Sequence, residues 1–163
     1  MIETKQALEL ALDATSQRLQ KNMVVNIIVE PKTKHYLVTL IPISSYDVIS
    51  VDTVIVKVDR DSGFIITTDE FSGPNPRREL VKRLRDKRII TGLQAYEIAL
   101  NLIKGYENYD QFGRLEVKLD KDHFKITLPH TSARNGVGRT SDYAYQIWID
   151  ANTKEVIKVL TSS

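Results

Sequence analysis

The stretch QALELALD, residues 6–13, returns in near-copy as QAYEIALN at residues 94–101. When the sequence is aligned with itself at an offset of 88 residues, which places position 6 on position 94, the match extends beyond these stretches. The offset brings together Ile2 with Ile90, Val29 with Val117, and His35 with His123. A match maintained at one fixed spacing is the mark of an internal repeat, so the sequence predicts a duplicated unit.

The rest of each copy predicts strands. Beyond position 42 the offset becomes 91, and VIVKVDRDSGFII (54–66) aligns with YQIWIDANTKEVI (145–157). Apolar residues recur at helical spacing in the opening stretches and alternate in the later ones, so each copy reads as one helix and four strands. The predicted fold class is α+β, a tandem repeat of a helix packed on an antiparallel β-sheet. Its segments are a first helix-plus-sheet repeat at 1–70, a basic connecting segment at 71–89 and a second helix-plus-sheet repeat at 90–163.

The composition is that of a globular protein. Of its 163 residues 42% are hydrophobic, and the formal net charge is only +2. No apolar run approaches the roughly 20 residues of a membrane helix, and the N-terminus lacks the pattern of a signal peptide. The absence of cysteine excludes disulfides and thiolate metal sites. We expect a cytoplasmic protein without membrane contact, as a monomer or a homodimer.

Three patterns resemble known site motifs but fail on spacing. ARNGVGRT (133–140) begins with alanine where a phosphate loop needs its first glycine. In a calcium loop starting at Asp59, Phe64 would occupy the position of the sharp-turn glycine. The histidines show no zinc spacing, and the repeat alone explains His35 and His123. We therefore predict a protein that is not an enzyme, with no catalytic residues, no metal and no cofactor.

The strongest charge signal lies in the connecting segment. Residues 77–88 hold seven basic and two acidic side chains, a net charge of +5, which leaves −3 for the rest of the chain. A helix here, with a narrow apolar stripe for docking, would present its basic face to nucleic acid or to an acidic protein. A solvated connecting helix is the alternative. The residues predicted to bind a partner are Arg77, Arg78, Lys82, Arg83 and Arg85.

A second candidate contact surface distinguishes the two copies. The loop HTSARNGVGRTSDY (130–143) carries three extra residues, with two arginines and two glycines. Arg134 and Arg139 can form bidentate bonds to carboxylates or phosphates, and Trp148 on the outer face of the next strand can supply an apolar anchor. A disordered hairpin without a partner is the alternative. We predict that these three residues bind a partner.

The helix QAYEIALNLI, followed by paired strands and a hairpin such as WIDANTKEVIKV, resembles the PepSY and PepSY-like domains, small cystatin-like units that occur in tandem. The resemblance implies a helix lying across an antiparallel sheet in a binding or inhibitory module, and several bacterial toxin-immunity proteins are similar. We expect an inhibitor or immunity-type protein, bacterial or phage, that binds and blocks an acidic protein partner. The alternatives are a nucleic-acid-associated protein that uses the basic helix and a small-ligand-binding module.

Overall fold

The computed structural model describes residues 1–16, 24–42, 50–74, 90–104, 109–130 and 143–161. Within these ranges the chain forms two helices and eight strands. In chain order they are α1 (Thr4–Ala14), β1 (Val24–Pro31), β2 (His35–Pro42), β3 (Ser50–Asp59), β4 (Ile65–Pro74), α2 (Gly92–Leu102), β5 (Leu115–Asp120), β6 (His123–Pro129), β7 (Tyr143–Asp150) and β8 (Val156–Thr161).

All eight strands belong to one antiparallel sheet, in the order β4-β3-β2-β1-β5-β6-β7-β8. β1 and β5 join the two halves at its centre, with Ile27 opposite Val117 and Val29 opposite Leu115. The predicted fold class, an α+β tandem repeat of helix-on-sheet units, is therefore wrong. The described residues form a mainly-β fold, in which two helices of 11 residues each accompany one continuous sheet.

The core lies on one face of this sheet. Residues directly opposite each other on antiparallel strands share a face, and the register places Ile27 beside both Leu40 and Val117. All three are fully buried, and α1 and α2 cover them with side chains such as Leu8 and Tyr96. The alternate strand residues point to the opposite face, which neither described helix covers. Neither of these two helices is long and apolar enough to cross a membrane.

Each helix begins against the other half of the chain. In α1, the amide of Thr4 donates to Gln111 O at 2.9 Å and its hydroxyl donates to Gly113 O at 2.7 Å. In α2, Gly92 lies so close to β1 that a Cβ atom there would stand 2.2 Å from Val25 O. These contacts explain why the halves share one core instead of forming two independent units.

The turns that follow β3 and β7 are built alike around an aspartate. Asp59 Oδ1 accepts hydrogen bonds from the amides of Ser62 at 2.8 Å and Asp61 at 2.9 Å. Asp150 Oδ1 accepts the matching pair from the third and second residues after it, both at 2.8 Å. Because these bonds favour the charged carboxylate, they lower the pKa of both aspartates.

We expect the double variant Asp59→Asn, Asp150→Asn to lose less stability in acid than the wild-type protein. A lowered folded-state pKa contributes stability that is present above the unfolded value of about 3.9 and is lost as the pH falls through the folded value. Asparagine keeps an oxygen for both amides but does not titrate. Urea unfolding at pH 6 and near pH 2.5 measures the difference, and an equal loss in both proteins would contradict this account.

Candidate functional site

Trp148 lies in the middle of β7, on the face of the sheet that the two described helices leave uncovered. Its chain neighbours Ile147 and Ile149 are fully buried, and side chains alternate between the two faces along a strand. The indole is only partly buried. Trp148 therefore combines a fixed backbone position with an accessible apolar surface.

Three lysines stand in line with this tryptophan across four strands. The register pairs Lys118 with Lys125, Lys125 with Trp148, and Trp148 with Lys158. With about 4.8 Å between neighbouring strands, this tryptophan–lysine row (Lys118, Lys125, Trp148 and Lys158) extends about 14 Å. Lys125 Nζ lies 5.4 Å from the centre of the Trp148 ring, and Lys158 Nζ lies 5.1 Å from it. Both distances are those of cation–π contacts.

Lys118, at the β5 end of the row, is held by an ion pair. Its Nζ is 2.7 Å from Glu116 Oε1, while Arg114 Nη2 is 3.5 Å from Glu116 Oε2. Burial alone would raise the pKa of Glu116, but the hydrogen bonds and positive charges of Lys118 and Arg114 lower it overall. Among the described residues no carboxylate pairs with Lys125 or Lys158 in the same way. The positive charge of the row is therefore concentrated around the indole.

This arrangement is suited to binding an acidic group beside an apolar one. Two ammonium groups flank one ring, so a partner that places a carboxylate over Lys125 or Lys158 can also cover the indole of Trp148. Tryptophan is among the residue types that most often carry the binding energy of protein interfaces.

The other predicted partner-binding residues cannot be placed relative to this row. Arg77, Arg78, Lys82, Arg83, Arg85, Arg134 and Arg139 lie outside the described residues. Of the predicted site residues the structure thus locates Trp148. Sequence reasoning missed Lys125 and Lys158, although alternation along β6 puts Lys125 on the outer face. The sequence of β8, VIKVLT, does not alternate and therefore does not indicate the face of Lys158. What it could not supply is the register that brings them beside the indole.

The histidines do not come together. His35 begins β2 opposite Asp59, and His123 begins β6 opposite Asp150. In the sheet order β2 and β6 are three strand spacings apart, about 14 Å or more, which is too far for shared zinc ligands. Within the described ranges there is no group of three or more histidine, aspartate or glutamate residues that could hold a metal ion.

Comparison with known proteins identifies no family for this chain. No family model and no curated protein matches it. Among solved structures, the chain is similar to the crystal structure of a "putative lipoprotein" from Clostridium difficile 630. The two share 17% sequence identity over 93% of this chain and 90% of the other, with a TM-score of 0.47. At this score the likeness carries no argument about fold or function, and the resemblance to PepSY-like domains stays an expectation.

Proposed function

We propose that the protein is a non-enzymatic binding protein of the inhibitor or immunity type, which docks an acidic surface of a protein partner on the tryptophan–lysine row. One observation supports this most directly: two lysine ammonium groups flank the partly exposed ring of Trp148 on the sheet face that neither described helix covers. An aromatic anchor supplies affinity, and complementary charge sets the rate of encounter and the choice of partner.

The scaffold suits a protein that blocks a partner by occupying it. Side chains on strands are held more precisely than side chains on loops, because the backbone is bonded to neighbours on both sides. β6 and β7, which carry Lys125 and Trp148, are interior strands of the sheet. Inhibition by occupation needs shape and charge, and it needs no reacting group.

A protein partner fits the described surface better than nucleic acid does. The register places Asp120, His123 and Asp150 side by side on the same face as the row. The carboxylates of Asp120 and Asp150 would repel a phosphate backbone, whereas a protein surface of mixed charge can match both the carboxylates and the lysines. The row also holds a single aromatic ring, while single-stranded nucleic acid is bound by stacking successive bases on several rings.

The proposal keeps the expected location of the protein in the cytoplasm and its expected form as a monomer or homodimer. Both are predictions. Fractionation of the native cells checks the first, and light scattering of the purified protein checks the second.

Reversal of the charge beside the indole is expected to weaken binding to an acidic partner. The probe is a short synthetic peptide rich in glutamate with interspersed aromatic residues, and the signal is the fluorescence of Trp148, which is the one tryptophan of the chain. We expect the variant Lys125→Glu, Lys158→Glu to bind this peptide more than about tenfold more weakly than the wild type, a change of about 1.4 kcal/mol. Added salt should weaken the wild-type complex as well.

The matched control is Lys34→Glu, Lys57→Glu. It changes the net charge by the same amount, but Lys57 lies on β3 and Lys34 lies in the turn before β2, both in the other half of the sheet. Equal affinity of the row variant and the control would contradict the proposed docking face. Tight binding of a short oligodeoxythymidylate, with none of the acidic peptide, would instead favour the nucleic-acid alternative.

A further inference from the structure

A groove of about 620 Å³ opens at one end of the sheet, away from the tryptophan–lysine row. The turn between β1 and β2, the turn between β3 and β4, and the segment before β5 form its walls. The groove is within the usual size range of small-molecule sites. Its lining combines the apolar rings of Pro31, Phe112 and Pro129 with the cationic side chains of Lys32, Arg60 and Arg114.

Arg60 is the most constrained cation of this groove. Its Nη1 donates to Lys32 O at 2.6 Å, and its guanidinium lies 5.1 Å from the centre of the Tyr36 ring. The ring of Tyr36 is itself fixed, because its hydroxyl donates to Ile2 O at 2.9 Å. In the described part of the chain, Arg60 Nε is buried without a hydrogen-bond partner. Such a donor is costly to leave unpaired, and a negative charge placed against the guanidinium would offset part of that cost.

The turn itself does not require an arginine. Ala151 occupies the corresponding position of the turn after β7 and makes the same backbone bonds: its amide donates to Asp122 O at 2.8 Å, as the Arg60 amide donates to Lys34 O at 3.0 Å. Each carbonyl also accepts from the residue that leads into a helix, Ile90 for Ala151 and Ile2 for Arg60. The Arg60 side chain is thus an addition to a backbone that forms equally well with alanine.

The charged neighbours of the groove leave Arg60 as its cation for an anionic ligand. Glu30 lies 3.7 Å from Lys32 Nζ and also pairs with Arg114. Asp110 is buried in the wall, where its Oδ1 accepts from the amide of Phe112 at 2.9 Å. Arg114 also contacts Glu116, 3.5 Å away, so ion pairs hold both Lys32 and Arg114. Among the described residues no carboxylate pairs with Arg60 in this way, which leaves its guanidinium as the groove cation available to a carboxylate ligand.

We propose that this groove binds an organic monocarboxylate, with the carboxylate on Arg60 and an apolar body against Phe112, Pro31 and Pro129. The planar fork of a guanidinium matches the two oxygens of a carboxylate. A free carboxylic acid and the C-terminus of a peptide share this chemistry. No residue of the tryptophan–lysine row lines the groove, although Glu116 contacts both Arg114 of the groove and Lys118 of the row.

The test uses phenylacetate as the probe, phenylacetamide and phenyl phosphate as analogues, and backbone amide shifts of the full-length protein as the readout. Phenylacetate is expected to shift the amides of Thr33, Phe112 and Gly113, and phenylacetamide is expected to leave them in place. Arg60→Ala should weaken phenylacetate binding more than about tenfold, and Arg60→Lys should weaken it less. Trp148→Ala, which lies off the groove, should bind phenylacetate as the wild type does.

N-acetylphenylalanine, a mimic of a chain end, separates the two sources of the carboxylate. If N-acetylphenylalanine binds more tightly than phenylacetate, the natural ligand is a peptide C-terminus. If it binds more weakly, the natural ligand is a free carboxylic acid. Equal binding of phenylacetamide and phenylacetate, tighter binding of phenyl phosphate, or unchanged affinity in Arg60→Ala would overturn the proposal. If Arg60→Ala does not fold, the amide shifts of the wild-type protein and the affinity of Arg60→Lys still test the proposal. Phenylacetate that leaves the groove amides unshifted would exclude the site.

Discussion

Replacement of Gly92 by alanine is expected to lower the free energy of unfolding by more than about 4 kcal/mol, or to prevent folding altogether. A Cβ atom at this position would lie 2.2 Å from Val25 O and 3.0 Å from Val25 C, which are backbone atoms that no side-chain rotation can move. The strand that carries them, β1, is bonded to β2 on one side and to β5 on the other. The start of α2 would therefore have to move away from the sheet.

The same substitution also has a small stabilising effect, because alanine restricts the unfolded chain. A substitution of glycine by alanine at a compatible position stabilises by about 0.4–1 kcal/mol, because the unfolded state has less conformational freedom. The steric penalty at Gly92 greatly exceeds this gain, since the obstacle is the backbone of a central strand.

Urea unfolding with Gln94→Ala as the matched control measures the effect. Gln94 is exposed in the same first turn, and its side chain accepts from the amide of Thr91 at 2.9 Å. Loss of this capping hydrogen bond should lower the free energy of unfolding by only about 1 kcal/mol. A Gly92→Ala protein as stable as the Gln94→Ala protein would show that α2 does not approach β1 so closely.

The local elements were predictable from the sequence, because their signals lie within a few residues. Thr91 and Gln94 have the spacing of a capping box, and α2 begins at this box, with Gln94 N donating to Thr91 Oγ1 at 3.1 Å. Alternation likewise separates the buried from the outward-facing residues of β7. Such patterns report which way a side chain faces.

The joining of the halves was not predictable in the same way, and the fold-class prediction failed at this point. Alternation identifies the faces of a strand but not the strand beside it. β1 and β5 could each have remained the edge of a separate sheet. Their pairing depends on distant groups, such as buried Asn26, whose Oδ1 accepts from Leu119 N at 2.9 Å where the ladder between the strands ends. No short sequence pattern marks such a contact.

The same limit applies to the candidate site, of which only one part could be predicted from local sequence. Trp148 could be selected from its strand alone, but the neighbours that give it a charged surrounding come from β6 and β8. Lys158 is ten residues from Trp148 in sequence, and Lys125 is 23 residues from it. Sequence reasoning therefore found the apolar anchor and looked for its cations in the basic segments instead of across the sheet.

Truncation of the anchor itself is expected to have the largest effect on binding. Trp148→Ala should weaken binding to the glutamate-rich peptide by about 2–4 kcal/mol, the range of a central aromatic contact at an interface. The loss exceeds that of either lysine because the indole supplies apolar contact area and also holds both ammonium groups, at 5.4 Å and 5.1 Å from its centre. Trp148→Phe should lose only part of the affinity, since a smaller ring remains between Lys125 and Lys158.

Titration calorimetry measures this loss, because the variant has no fluorescent tryptophan. Phe71→Ala is the matched control: Phe71 lies opposite Thr53 on the same uncovered face, 54% exposed, but on β4 at the far edge of the sheet. Both substitutions should leave the protein folded, because each removes a ring that lies outside the core. Peptide affinity should fall in Trp148→Ala and stay at the wild-type value in Phe71→Ala. An equal effect of the two changes would mean that the sheet face binds through general apolar contact, and the tryptophan–lysine row would lose its proposed role.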